Sequence, residues 1–187
     1  MTTTTTGTRI PGYVAGTWAI DPVHSEVGFS VRHMMVSKVR GKFSAFEGTI
    51  TTPDNPLESS VEATIDLSSI TTGNEQRDAH LRSSDFFDVE SHPQMTYRST
   101  RVRAENGDYL LDGQLTILGV TRPITLAIEL NGIGPDAYGG TRAGFTATGE
   151  INRSDFGVNW NAAIEGGGVV VSDKVALSLE IEAVLNS

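Results

Sequence analysis

The sharpest polar cluster in this chain is Arg77-Asp78-Ala79-His80. On a helix, Arg77 and His80 stand three apart on one face. There a guanidinium and an imidazole can meet an oxygen of a bound head group, with Asp78 orienting a neighbour. The competing reading is mechanical: a helix pinned to its scaffold by ion pairs. His33 shares the parity of Phe29 and Val31 along an alternating run. It is therefore expected to point inward, either to bond a head group or to be satisfied by backbone. His24 follows Asp21-Pro22 in a turn, and His92 precedes Pro93 in a loop expected to be exposed. No two histidines have HxH or HxxxH spacing, which argues against a metal site. The absence of cysteine excludes disulfides and thiolate catalysis. No nucleophile elbow, phosphate loop or dinucleotide fingerprint occurs, so neither catalysis nor a cofactor is expected.

The elements that must hold these side chains are strands. Val27, Phe29 and Val31 alternate with Gly28, Ser30 and Arg32, and the same beat returns in Val61–Leu67, Ile124–Leu130 and Val175–Ile181. A period of two gives each strand one dry face. On the segment from Lys38 to about Thr51, Val39, Gly41 and Phe43 share one side while Phe46, Gly48 and Ile50 share the other. That switch predicts a bulge near Ser44-Ala45. Thr72 and Glu75 fit a capping box for one helix running to about Arg82. Asn106-Gly107 predicts a tight turn, and Leu118-Gly119-Val120-Thr121 a second. Gly132-Ile133-Gly134-Pro135 reads as the start of a longer loop, and Gly166-Gly167-Gly168 falls in the last loop. About eight antiparallel strands and one short helix predict an all-β protein, an extended up-and-down barrel, with a two-sheet sandwich as the competitor.

The 187 residues suit one domain. Residues 1–16, rich in threonine and glycine, are expected to form a flexible N-terminal segment, and residues 17–187 the barrel. The formal charge of −9 argues against broad binding to nucleic acid or an anionic membrane surface, since both need cationic surface. Arg32, Arg40 and Lys42 still make a small basic patch on one hairpin, whose simplest reading is a solvated edge that discourages sheet pairing. No apolar run approaches a membrane span. The amino terminus has neither the basic start nor the apolar stretch of a secretory signal, so a cytoplasmic location is expected.

A closed sheet has an inside, and whether it is packed or hollow decides the function. The inward inventory is uneven. Val175, Leu177, Leu179 and Ile181 are bulky, whereas Ala143, Ala147 and Gly149 leave room beside Phe145, and Gly113 interrupts Leu111 and Leu115. Small residues can instead seat a neighbour's bulk. A void of roughly 400 Å³ would cost on the order of 10 kcal/mol, which rivals the stability of a domain. A hollow barrel should therefore hold something apolar or be partly wet. Phe29, Val31, Phe43, Phe86 and Phe87 are the expected tunnel wall, with ordinary core packing as the alternative.

Several motifs resemble one family in order. They are Asp21-Pro22-Val23-His24-Ser25, Phe29-Ser30-Val31-Arg32-His33, Gly41-Lys42-Phe43, Asn74–Arg82 with Asp85-Phe86-Phe87-Asp88, Gly113–Pro123, and Asn152-Arg153-Ser154-Asp155-Phe156-Gly157. The chain is similar to the YceI-like family from about Thr17 to Leu185. The resemblance implies a lipocalin-like barrel with a long apolar tunnel for polyisoprenoid chains, among them prenyl pyrophosphates and quinones, or other long-chain amphiphiles such as fatty amides. It also implies a homodimer. Arg77 and His80, with His33, would then meet a phosphate or quinone oxygen. Each buried CH₂-sized group contributes about 0.8 kcal/mol, so one isoprene unit contributes roughly 3–4 kcal/mol before ordering costs.

The expected function is non-catalytic binding, transport or storage of such a lipid, without stable membrane insertion. One alternative is an enzyme acting on an isoprenoid lipid with His80 as acid or base. Another is a stress-related interaction protein that uses the barrel as a scaffold.

Overall fold

The computed structural model describes residues 10–34, 36–105, 108–161 and 171–186. Strands β1 (Gly16–Ile20) and β2 (Glu26–His33) both pair with β11 (Val171–Leu185). They occupy one position in the sheet, interrupted by the turn at Asp21–Ser25. In the same way β3 (Ser37–Phe43) and β4 (Phe46–Thr52) share the next position, and β5 (Ser60–Asp66) and β6 (Ile70–Thr71) the third. Then follow β7 (Gln94–Glu105), β8 (Asp108–Ile117), β9 (Val120–Pro135) and β10 (Thr141–Asn152), each antiparallel to its neighbour. The pairing of β1 with β11 closes the ring into an eight-position up-and-down barrel. Closure removes the exposed sheet edges that a sandwich would have to cover.

The parity switch between Phe43 and Phe46 is real. The ladder breaks at Ser44-Ala45, where the Ser44 amide donates to Ser69 O and Ala45 O accepts from the Asp66 amide. The Leu118-Gly119 turn has positive φ at both central residues, the twist that suits a two-residue hairpin.

Three expectations change. The helix α1 (Glu75–Arg82) is capped by Asn74, whose side chain accepts from the Arg77 amide, and not by Thr72. Thr72 is taken by Asp78, which accepts from both its amide and its hydroxyl. Gly132–Pro135 is not a loop: β9 continues through it and pairs with Thr141–Gly144, after a bulge opposite Gly144/Phe145. His92 is half-buried, not exposed. Asn106-Gly107 and Gly166-Gly167-Gly168 lie outside the described residues.

The segment from Thr72 to Pro93 crosses one end of the barrel. Its α1 touches β6, and the Leu67 amide donates to Pro93 O to fix its return. At the opposite end Trp18, Ile50, Ala143 and Ala183 form a separate buried cluster, with Trp18 Nε1 donating to Thr52 Oγ1 at 2.9 Å.

Candidate functional site: an apolar bore with one buried cation

Between the two buried clusters lies a cavity of about 340 Å³, whose wall is almost wholly hydrocarbon. That volume falls within the usual range of small-molecule sites. Left unfilled, it would cost about 8 kcal/mol by the measured void coefficient. All eight sheet positions contribute, because each strand turns alternate side chains inward. Phe29 and Val31 come from β2, Phe43 from β3, and Phe86 and Phe87 from the crossing segment. These five line the cavity. Ile10 and Tyr13, upstream of β1, line it too.

Not every small inward residue makes room for a guest. A Cβ on Gly113 would lie 2.4 Å from the Tyr97 ring, and one on Gly41 would lie 2.4 Å from the Phe29 ring. These two glycines seat aromatic rings across the ladder. The bore is hollow in spite of Gly113, not because of it. Tyr97 donates to Leu111 O at 3.4 Å, and burial, reinforced by the negative charge of Asp112, holds its phenol well above the ordinary value.

The polar candidates are placed differently. Arg77 does not line the cavity. Its Nε donates to Thr72 Oγ1 at 2.7 Å and its Nη2 to Thr72 O at 2.8 Å. His80 pairs through Nε2 with Asp85 Oδ2 at 2.8 Å, and its ring stands edge-on to Phe86 and Trp160. Arg77 and His80 are therefore turned to different partners and do not converge. Asp78 is buried and holds the helix through Thr72, by hydrogen bonds and not by an ion pair. His33 is half-buried at the last rung of β2 and lies outside the cavity lining.

Sequence reasoning missed Arg153. Among the described residues it is the one charged residue in the lining, and it is only 7% exposed. It opens a short 3₁₀ turn, Arg153–Phe156, directly after β10. Its Nε donates to Ser172 O, its Nη1 to Val158 O and Trp160 O, and its Nη2 to Val171 O, at 2.8–3.2 Å. Four carbonyls thus cap the guanidinium. No carboxylate among the described residues lies within ion-pair distance of it. Burial draws its pKa below the ordinary arginine value, although a guanidinium remains charged. The signal was present in the sequence: Ala147, Gly149, Ile151 and Arg153 share one parity, so the inward beat runs straight into the arginine.

On the outer wall Asp21, His24 and Glu182 bring metal-ligand atom types within 4.8 Å of one another. Arg142 already occupies the space between these carboxylates. Its Nη1 lies 2.8 Å from Asp21 Oδ2 and 3.4 Å from Glu182 Oε2, and its Nε lies 3.1 Å from Asp136 Oδ2. The Arg142 hydrogen bond, then that of His24, holds the Asp21 carboxyl far below the usual carboxylate range.

Residues 18–183 match the model of the YceI-like domain. Protein YceI of Escherichia coli is 38% identical over 174 residues, a stretch that covers 91% of this chain and 88% of that protein. The crystal structure of the YCEI protein of Campylobacter jejuni superposes with a TM-score of 0.72 at 31% identity, covering 89% of this chain and 96% of that one. A polyisoprenoid binding domain from Saccharophagus degradans has the same fold, with a TM-score of 0.69 at 16% identity over 92% of this chain and all of that domain. The motifs, the closed barrel and these matches lead to one conclusion: the chain belongs to the YceI-like family.

Proposed function

We propose that this protein binds, and carries or stores, a long-chain isoprenoid or similar amphiphilic lipid along the barrel axis. The observation that carries the proposal is the bore itself: hydrocarbon on all sides, with one buried cation at the end where the crossing segment lies. A wall of this kind reads the length and width of a chain. The polyisoprenoid named for the Saccharophagus degradans domain supports an isoprenoid guest. The head group belongs at Arg153, not at Arg77 and His80. A prenyl pyrophosphate, a quinone and a fatty amide all present an oxygen acceptor to a guanidinium. The placement of His80 outside the lining favours binding over catalysis.

Thermal denaturation tests the reading. Quinones and prenyl pyrophosphates that carry several isoprene units should raise the midpoint, and short-chain analogues of the same head group should not. Equal stabilisation by long and short chains, or by neither, would overturn the proposal.

A further inference from the structure

The β2–β3 hairpin has a second face that lipid binding within the bore does not use. Its inner residues Phe29 and Val31 line the cavity, and its outer residues are cationic. Arg32 stands directly across from Lys38, Ser30 from Arg40, and Gly28 from Lys42. All four cations are exposed. Their side chains have no ion pair or hydrogen bond with any described residue, in a chain with nine more acidic than basic residues. The outward acid of the hairpin, Glu26, sits at the far end from the tip. At the tip two apolar side chains project, Met34 at 43% exposure and Val36 at 85%. Toward this end β3 leaves the closed sheet, because β6 pairs only with Lys42 and Phe43.

We infer that this hairpin is a docking device for the surface of an anionic lipid bilayer. The arrangement suits a bilayer better than a soluble polyanion or an acidic protein. Apolar residues stand ahead of the cations, so the tip can enter the acyl boundary while the cations meet lipid phosphates behind it. The same hairpin is a wall of the bore, which sets the contact beside the cavity. The inference does not depend on which lipid the bore holds. An edge that merely discourages strand pairing would be protected equally well by glutamates, so charge reversal separates the two readings.

The test is co-sedimentation of the full chain with vesicles of phosphatidylcholine, alone or with an equal part of phosphatidylglycerol. Binding is expected only to the anionic vesicles and should weaken with salt. The K38E/R40E double variant should bind roughly 25-fold more weakly or worse, at roughly fivefold for each cation removed. V36N, which removes the apolar group without adding charge, should bind more weakly with an unchanged salt dependence. Both variants should keep the wild-type melting behaviour and the wild-type content of extractable lipid. No sedimentation with anionic vesicles, equal sedimentation with neutral ones, or full binding by K38E/R40E would overturn the inference. Capture by heparin as tight as by vesicles, unaffected by V36N, would also overturn it, in favour of a soluble polyanion.

Discussion

Arg153 donates from Nη1 to the carbonyl oxygen of Trp160 at 2.8 Å. The Trp160 ring in turn stands edge-on to His80, with centroids 4.8 Å apart. One guanidinium thus ties the segment after β10 to the barrel and presents the only charge on the cavity wall among the described residues. Its replacement by methionine would leave four carbonyls without their donor. R153M should lose on the order of 3 kcal/mol of stability, read as a lower urea midpoint. R153K keeps the charge but not the fork, and it should fall between the two. Both should bind a quinone more weakly than the wild type, and by a larger factor than they weaken an apolar hydrocarbon of equal length.

The helix is held by a single buried carboxylate. Asp78 Oδ1 accepts from the Thr72 amide at 2.8 Å and from its hydroxyl at 2.6 Å. D78A should cost about 2 kcal/mol, as hydrogen bonds to a charged group do. The loss should be local: hydrogen exchange should accelerate across Glu75–Arg82 and leave β8 and β9 unchanged. Because Leu81, Phe86 and Phe87 of this segment line the bore, ligand should also exchange faster.

Crowding beneath an aromatic ring gives a sharper contrast. G113A should be destabilised by about 1–3 kcal/mol, because the new methyl meets the ring of Tyr97 and displaces it from its hydrogen bond to Leu111 O. A147L adds bulk to a cavity-lining alanine instead. It should weaken ligand binding while costing the ligand-free protein less than G113A does. Urea melts of both variants, with and without a long-chain quinone, check this.

Acid should find the outer cluster. A carboxylate held below its unfolded pKa stabilises the fold above that value, and the contribution is lost as pH falls through the lower folded value. The folded value for Asp21 is depressed by Arg142 and then His24. Its contribution is therefore full above about pH 4, where an unfolded aspartate titrates, and declines at more acidic pH. D21N should lower the melting temperature at neutral pH and narrow its gap to the wild type as pH falls below about 4.

The barrel was legible because a two-residue beat states which face of each strand is dry. Even the break at Ser44-Ala45 is written in the sequence as a parity switch. Local chemistry misled where two residues could play one role. Thr72 and Asn74 are both competent caps, and only the burial of Asp78 beside Thr72 decides between them. Gly132 and Pro135 look like loop residues, yet the ladder with β10 carries them as strand. The inward positions of Phe29 and Phe43 followed strand parity, whereas Phe86 and Phe87 lie in the crossing segment, where no such beat runs. Arg77 and His80 were not readable, because their partners, Thr72 Oγ1 and Asp85 Oδ2, become neighbours only once the segment folds across the barrel end. Arg153 followed the inward beat, but a charge in that beat was not read as facing an oily bore.

Native mass spectrometry of the protein purified without lipid or detergent addresses the central claim most directly. The account predicts a population heavier than the polypeptide, whose excess mass leaves on denaturation and is extracted into organic solvent as a long-chain isoprenoid or similar amphiphile. A bare polypeptide mass that stays unchanged after incubation with long-chain quinone and with prenyl pyrophosphate would contradict it.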